Sequence, residues 1–546
     1  MRLFRTTRTR RSSARRSLRF ALLGGLVALA VPLLAFATGS ASWPSGGQNP
    51  SNTHSQAAET KLNANNVKNL AVKWTATTHG DVSAIPAVVD GAVYVPDWGG
   101  YLTKFDASTG ATIWSRTISS YTGLPGDVAR ASPAVVGNTV YVGDQGTQPS
   151  SPLGAAVNGG WLMAINATTG DLIWETKVDG DQHAFLTAGP LVANGVVYQG
   201  VASSEEAAAI DPTYACCTFR GSIVAMDATT GKIIWKTYMV PDNHGVPGGY
   251  SGGAIWGTTP ALDPATNTLY VTTGNNYTVP QSVKDCQDLG GTAGDCLSPD
   301  DHIDAIMALN ASTGRIKWAT GVKGFDDWNV GCIIGPPPNN CPENPGPDFD
   351  FGSGPNLFTI GNGKNAVAAV GAGQKSGQYW ALDAASGKIL WSTAPGPGST
   401  LGGIEWGPAT DGKRIYVAEE NFNGIPYPIP GGGTITTGSW AALDPATGNV
   451  LWQAADPSHN LFGGGNALGP VSVANGVLYV PSMSGTMRAL DAANGKTLWS
   501  FQAAGSVNTG AVVVNGVVYW GSGYAHLGIP GWTGSTTFYA FSINGN

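Results

Sequence analysis

The chain has 546 residues, with 77 Gly, 35 Pro and 18 Trp, and only 12% of them are charged, about half the usual share of a soluble domain. This composition excludes a coiled coil, a long-helix scaffold and a charged disordered tail. With 42% hydrophobic residues there is material for a large core, and the expected class is a turn-rich, mostly β, folded protein.

The first segment is set apart by charge: eight of the 29 basic residues lie between Arg2 and Arg19, and no acidic residue precedes Glu59. The Arg-rich start, the apolar stretch from Phe20 to Ala37 and the small residues Gly39 and Ala41 are the three parts of an export signal, expected over 1–41 with cleavage near Ala41–Ser42. An anchor is the competing reading, because 18 apolar residues approach the length of a membrane span; Pro32 and the small-residue exit favour cleavage. Arg15-Arg16-Ser17-Leu18-Arg19 is similar to a twin-arginine signal. The mature chain keeps 21 basic against 36 acidic side chains, which argues against a nucleic-acid partner. No later apolar run is long enough to span a bilayer, so a soluble body is expected over 42–546.

Along that body one phrase recurs seven times: Asp106 to Trp114, Asn166 to Trp174, Asp227 to Trp235, Asn310 to Trp318, Asp383 to Trp391, Asp444 to Trp452 and Asp491 to Trp499. In each, Asp or Asn stands eight residues before Trp and Gly four before it. Asx side chains bond local backbone and Gly accepts a positive φ, so each phrase predicts a tight turn between strands, with Trp on the outgoing one. Between these hairpins lies a second kind, as in Pro190-Leu-Val-Ala-Asn-Gly-Val-Val-Tyr198, two apolar strands around Asn-Gly. Two hairpins per repeat make a four-stranded sheet, and such sheets repeated radially make an all-β propeller. An eighth Trp, Trp74, lacks its own turn, and Phe538–Ser542 is a strand without a following Trp. Joining the two ends completes an eight-bladed β-propeller with a lead-in over 42–73. The two longest Trp intervals, Trp235 to Trp318 and Trp318 to Trp391, hold loop insertions expected near 280–300 and 328–350.

The cysteines are Cys216, Cys217, Cys286, Cys296, Cys332 and Cys341. In an exported chain an even count reads as disulfides, and the simplest pairing joins Cys286 to Cys296, Cys332 to Cys341 and the neighbours to each other. Two reduced thiols are the alternative for the adjacent pair. No Cys-x-x-Cys-His occurs, so no c-type haem is attached, and no Cys or His pair has zinc-site spacing.

The repeat Ala/Leu-Asp-x-x-Thr-Gly-x-x-x-Trp resembles the tryptophan-docked blades of pyrroloquinoline quinone-dependent alcohol dehydrogenases. The resemblance covers nearly the whole mature chain, from Trp43-Pro44 and Asn66-Val67 onward. Ser203-Ser-Glu-Glu206, Cys216-Cys-Thr-Phe-Arg-Gly221 and Pro347-Asp-Phe-Asp-Phe-Gly352 look like the polyvinyl alcohol dehydrogenase branch. The resemblance implies a quinone at the propeller axis, between a Trp face and a ring made by adjacent cysteines, with calcium on a Glu, an Asn and an Asp. By motif these are Trp256 in Ser251-Gly-Gly-Ala-Ile-Trp-Gly257, Cys216 and Cys217, Glu205 with Glu206 as neighbouring alternative, Asn275 in Thr273-Gly-Asn, and Asp350, also the catalytic base, with Asp348 as substitute. Thr187 and Lys375 resemble positions that hydrogen-bond the quinone, and Arg220 is a further cofactor contact. Two departures stand out: the cysteine pair follows Glu205, whereas in methanol dehydrogenases it precedes the Glu, and Gly352 occupies the place where lanthanide-dependent relatives carry an Asp.

The chemistry of these residue types agrees. A hard cation takes oxygen donors such as two carboxylates and an amide, a carboxylate near an alcohol accepts its proton, and an indole face supports a flat ring. The expected function is oxidation of an alcohol, secondary or polymeric by branch resemblance, by hydride transfer to the quinone with calcium as Lewis acid; electrons then pass to a separate acceptor. The competing class is a non-catalytic propeller acting as an interaction or assembly scaffold, which has no use for a converging Glu205, Trp256, Asn275 and Asp350.

Overall fold

The computed structural model describes residues 41–149, 154–257, 259–322, 324–333 and 339–546; the expected export signal lies outside them apart from Ala41. Eight blades of four antiparallel strands follow one another along the chain, two of them extended by a short fifth strand, Ser55–Gln56 beside blade 7 and Ala184–Phe185 beside blade 3. Blade 1 is Ala87–Val89, Ala92–Asp97, Tyr101–Asp106 and Thr112–Thr117, and blade 2 is Ala134–Val136, Thr139–Gly143, Trp161–Asn166 and Leu172–Lys177. Blade 3 comprises Leu191–Ala193, Val196–Ser203, Ser222–Asp227 and Ile233–Tyr238, and blade 4 Ala261–Asp263, Thr268–Thr272, Ala305–Asn310 and Ile316–Gly321. Blade 5 runs Asn356–Ile360, Val367–Gly373, Tyr379–Asp383 and Ile389–Thr393; blade 6 runs Ala409–Thr410, Ile415–Glu419, Ser439–Leu443 and Val450–Ala455. Blade 7 is Ser472–Ala474, Val477–Pro481, Thr486–Asp491 and Thr497–Gln502. Blade 8 joins the chain ends: Val512–Val514, Val517–Trp520 and Thr537–Ile543 accept Leu70–Thr77 as the fourth strand. The chain is thus the eight-bladed propeller its repeat implies.

The geometry explains the eight-residue phrase. The Asp or Asn side chain caps its own turn; Asp227 Oδ1, for example, accepts from the amides of Thr229 at 3.1 Å and Thr230 at 2.8 Å. Four residues on, Gly231 has φ +70°, and a Cβ there would lie 2.5 Å from the ring of Trp174 in the preceding blade. Glycine is therefore required twice, for the turn and for the indole that lies on it. The same indole donates to the carbonyl after the Asx, Trp174 Nε1 to Ala228 O at 3.1 Å, and the pattern repeats from Trp114 to Ala167 at 3.1 Å and from Trp391 to Pro445 at 3.0 Å. Each Trp staples its blade to the next. The last, Trp499, bonds Leu70 O at 2.9 Å and so ties blade 7 to the N-terminal strand.

Both turns of each blade, strand 1 to 2 and strand 3 to 4, lie on one face of the ring. The links from strand 2 to 3 and from one blade to the next lie on the other, and only there does the chain depart from the repeat. The stretch about 280–300 carries the helices Gln281–Asp288 and Ala293–Cys296 between strands 2 and 3 of blade 4. All three disulfides pair as the spacing suggests: Cys216–Cys217, Cys286–Cys296 and Cys332–Cys341.

Candidate active site

On that second face the links converge on a cavity of about 240 Å³ lined by Thr187, Glu206, Trp256, Asp350, Lys375 and Glu405, among others. Each comes from a different departure from the repeat. Thr187 precedes blade 3, Glu206 follows its second strand, Trp256 leads into blade 4, Asp350 into blade 5 and Glu405 into blade 6, while Lys375 follows the second strand of blade 5.

Asp350 is the most constrained of them. Its Oδ1 accepts the Asn275 backbone amide at 2.6 Å and its Oδ2 accepts Trp256 Nε1 at 2.7 Å. Gly274 lets this approach happen, since a Cβ there would lie 2.8 Å from Asp350 Oδ1. Lys375 Nζ stands 3.4 Å from Asp350 Oδ2 and 2.9 Å from Asp348 Oδ1, and 5.3 Å from the centre of the Trp256 ring. Burial works against this ammonium, but Asp348, Asp350, Glu405 and Glu206 together raise its pKa well above the ordinary lysine value. Lys375 is therefore a permanent cation among buried carboxylates. Burial pushes Glu206 up to about 7, Lys375 opposing and Asp350 adding to the shift. It pushes Glu405 up to about 8, again against Lys375.

The two neighbouring glutamates divide their tasks. Glu205 is buried away from the cavity: Oε1 accepts from Tyr214 Oη and the Thr218 amide, both at 2.8 Å, and Oε2 accepts the Phe219 amide at 2.8 Å. It holds the chain just after the cysteine pair, and both its oxygens are occupied. Glu206, not Glu205, lines the cavity. Asn275 is nearly fully buried beside Asp350, and its amide nitrogen is spent on Asn276 O and Trp328 O, both at 2.9 Å, which turns the amide oxygen to the opposite side.

Two expected cofactor contacts lie elsewhere. Arg220 donates to Val240 O at 3.0 Å, pairs with Asp242 at 3.2 Å and covers the Tyr238 ring, so it serves the outer strand of blade 3. Cys217 is fully buried in the core between blades 2 and 3, with Cys216 packed against it, and neither forms the cavity wall. Phe185 and Tyr277 stand on that side instead.

Other groups at the cavity were not singled out in the sequence. Trp406 meets Trp256 edge-to-face at 5.3 Å, and Arg130 lies over Trp406 at 4.4 Å, within 5.9 Å of the Tyr524 ring centre. A signal for two of them was present, because Gly402-Gly-Ile-Glu405-Trp406-Gly407 repeats the Gly252-Gly-Ala-Ile-Trp256-Gly257 phrase two blades later. Arg130 and Tyr524 carry no such mark.

The donors suit a planar, anionic quinone and a calcium ion. Thr187 Oγ1 is buried without a hydrogen-bond partner, a deficit that a polar ligand would relieve. The indoles of Trp256 and Trp406 offer apolar faces, and Arg130 and Lys375 offer fixed positive charge. Among the described residues no three His, Cys, Asp or Glu side chains gather as a metal-holding group. A cation at this site would therefore rest on Glu206, Asp350 and the Asn275 amide oxygen, with the remaining oxygens from the quinone.

Comparison with known proteins agrees with the fold. A family model described as outer membrane protein assembly factor BamB matches residues 55–215, 304–435 and 436–529, which is the shared propeller repeat. Polyvinylalcohol dehydrogenase of a Sphingopyxis species is 31% identical, the match covering 85% of this chain and 70% of that one. Its namesake from a Pseudomonas species is 30% identical over the same shares. The solved quinohemoprotein alcohol dehydrogenase of Comamonas testosteroni superposes with a TM-score of 0.68 at 22% identity, covering 92% of this chain and 81% of that one, and shares the fold. The propeller repeat and these relatives identify the chain as a member of the pyrroloquinoline quinone-dependent alcohol dehydrogenase family.

Proposed function

We propose that this chain is an exported quinoprotein that oxidises an alcohol at the cavity bounded by Trp256, Asp350 and Lys375. Pyrroloquinoline quinone, when bound, supplies the two-electron hydride acceptor, and calcium polarises its carbonyl. The observation that carries the reading is Asp350, a buried carboxylate fixed by Asn275 and Trp256 at a cavity that also holds Glu206 and Lys375. Its role is to take the hydroxyl proton as the carbinol C–H bond breaks. Lys375 opposes the burial that raises the surrounding carboxyls and fixes their arrangement, and the Trp256 indole gives the flat ring a platform. Glu206, Asn275 and Asp350 hold the metal in this proposal; Glu205 has a supporting task, anchoring the chain next to the cysteine pair.

Calcium is favoured over a lanthanide by local packing as well as by donor count. A Cβ at Gly352 would lie 2.8 Å from Trp256 and 2.7 Å from Glu405, so the extra Asp of lanthanide-dependent relatives has no room. Export is supported by the Arg-rich, then apolar, start and by three disulfides in one chain; among the described residues no helix is long and apolar enough to cross a membrane. The electrons leave to a separate acceptor. The test is to add quinone and calcium to the purified chain and follow reduction of an artificial dye by primary and secondary alcohols. Activity that needs both additions, and a calcium requirement weakened in Glu206→Gln more than in Glu205→Gln, is expected. No alcohol-dependent reduction by the reconstituted wild type overturns the reading.

A further inference from the structure

Two buried acids behind the cavity, Asp326 and Asp304, take no part in lining it. Asp326 opens a three-residue bridge, Asp326-Asp327-Trp328, that ties the two halves of the site together. Toward Asn275, Asp326 O accepts the Asn276 amide at 3.0 Å, Asn276 O accepts the Trp328 amide at 2.9 Å, and Trp328 O accepts Asn275 Nδ2 at 2.9 Å. Toward Asp350, Asp327 O accepts the Gly346 amide at 2.9 Å, and the Asp326 carboxylate takes two more amides, Asp348 on Oδ1 at 2.8 Å and Phe349 on Oδ2 at 2.7 Å. A Cβ at Gly346 would collide with Asp326 Oδ1, so glycine is what lets the returning chain pass this closely.

Asp348 meets the bridge only after residues 329–347, and its neighbours along the chain do not fix it. It also stands at φ +59°, in the left-handed region that a residue with a side chain occupies at a cost. Its amide on Asp326 and its carboxylate on Lys375, at 2.9 Å, hold it there. Asp304 backs this arrangement. Its amide donates to Gly274 O at 3.1 Å, and its carboxyl contacts that of Asp326. Among the described residues no donor reaches either Asp304 oxygen, and no Lys, Arg or His pairs with either acid. Two carboxyls that meet in a buried place without a donor are reconciled by a proton on one of them. Burial raises Asp304 well above the ordinary value, with Asp326 and Asp350 adding to the shift; burial raises Asp326 too, but the two amides and the Asp304 contact oppose it. The proton therefore sits on Asp304, whose O–H donates to the Asp326 carboxylate.

We propose that Asp326 is a positioning residue of the active site: its carboxylate, steadied from behind by the Asp304 O–H, holds the Asp348 and Phe349 amides and so delivers Asp350 to the Asn275 amide. The role rests on the alcohol-oxidising reading for what Asp350 does, and goes beyond it in naming what places Asp350. An ionised acceptor holds two amides more firmly than a neutral one, and a neutral acid behind it avoids a second buried charge. A turn that only had to fold would not need two buried acids, whose desolvation works against stability.

The test reads quinone binding as well as turnover, in the full chain. Quenching of tryptophan emission by pyrroloquinoline quinone is followed as calcium is added, and unfolding midpoints are recorded so that folded protein is compared with folded protein. Asp326→Asn turns an amide nitrogen toward one of the two backbone donors. The calcium concentration that half-saturates quenching is expected to rise roughly 10- to 100-fold, the usual cost of losing a group that orients a metal ligand, and kcat is expected to fall by a similar factor. KM for 2-butanol should change less than about threefold, because no substrate contact is touched. Asp304→Asn keeps a donor in the same place and is expected to stay within about threefold of wild type in both readouts. Asp304→Ala removes that donor, leaves both amide bonds, and is expected to move toward Asp326→Asn. Wild-type binding and turnover in Asp326→Asn overturn the role, and so does an equal loss in Asp304→Asn and Asp304→Ala; either result leaves the oxidation reading intact. If Asp326→Asn does not fold, the Asp304 variants decide, and wild-type behaviour in both overturns the role. Calcium-dependent quenching that weakens in Asp326→Asn, while the wild type oxidises no alcohol, keeps the positioning role and overturns the oxidation reading.

Discussion

The two faces of the ring use carboxylates in opposite ways. On the turn face Asp106, Asp227 and Asp383 sit in exposed turns and accept from Ser or Thr hydroxyls and amides; these bonds favour the ionised form and hold each carboxyl below its ordinary value. On the cavity face Glu206, Asp348 and Glu405 are raised, because burial penalises the charge before any neighbour acts. Repeated carboxylates staple turns, and the unrepeated ones store a charge problem that a cation resolves. The same residue type caps turns on one side of the propeller and lines a cavity on the other.

Substitutions on the two faces should therefore separate activity from stability. The largest effect is expected from Asp350→Asn, which keeps the side-chain shape and removes the proton acceptor. With quinone and calcium saturating, dye reduction should fall by roughly 10²- to 10⁴-fold, while unfolding loses only the one bond in which the new amide nitrogen faces a donor, the Asn275 amide or Trp256 Nε1, about 1–3 kcal/mol. A variant that retains wild-type turnover would end the role given to Asp350 and, with it, the contrast between the faces. On the other side Trp391→Ala removes the indole that lies on Gly448 and its bond to Pro445 O. The expected cost is about 3–5 kcal/mol in urea unfolding, with turnover per folded molecule preserved. Gly448→Ala attacks the same contact from below. Its φ is +74° and the new Cβ would lie 2.5 Å from the Trp391 ring, so about 1–3 kcal/mol should be lost. If either rim variant lowered turnover of the folded protein, the two faces would not be independent.

The same contrast explains what could be read from the amino-acid sequence. The blades were legible because one contact, indole on glycine with an Asx cap beside it, is made in the same way seven times, and physics that repeats leaves a period. Trp256 and Asp350 were legible only through a family motif, since neither belongs to the blade repeat. Glu205 and Glu206 show the limit: adjacent side chains on a short helix point apart, and no local pattern tells which one the core consumes in holding the Thr218 and Phe219 amides. The family resemblance implied Arg220 and the cysteine pair as cofactor contacts, yet Arg220 serves the outer strand of blade 3 and the cysteines pack in the core between blades 2 and 3, outside the cavity lining. Tyr524 reaches the cavity from beyond blade 7 only because the ring closes, which is a long-range fact without a local trace.

The smallest effect expected lies deeper on the cavity face, at Glu419 and Glu420, after the second strand of blade 6. Glu420 is fully buried with neither carboxylate oxygen partnered, and Glu419 has only Oε1 satisfied, by the Gly398 amide at 2.9 Å. Burial pushes Glu419 up to about 7 and raises Glu420 well above the ordinary value, with Glu405 and Glu419 adding to the shift. Folded-state values above the unfolded ones mean that the native protein keeps protons the unfolded chain has released, so stability is fully present below about 4.5 and declines as pH rises toward 7 and beyond. Each such proton contributes a slope of at most about 1.4 kcal/mol per pH unit. Glu420→Gln takes one titrating group out of this pair and relieves its neighbour of a like charge. Urea midpoints measured from pH 5 to 8 should therefore decline less steeply in the variant than in the wild type. Parallel curves would mean that Glu420 is ionised in the folded protein and that a cation, supplied by solvent or by the chain, already reaches it; the division between turn-face and cavity-face carboxylates would then have to be drawn by access to counter-charge instead of by burial.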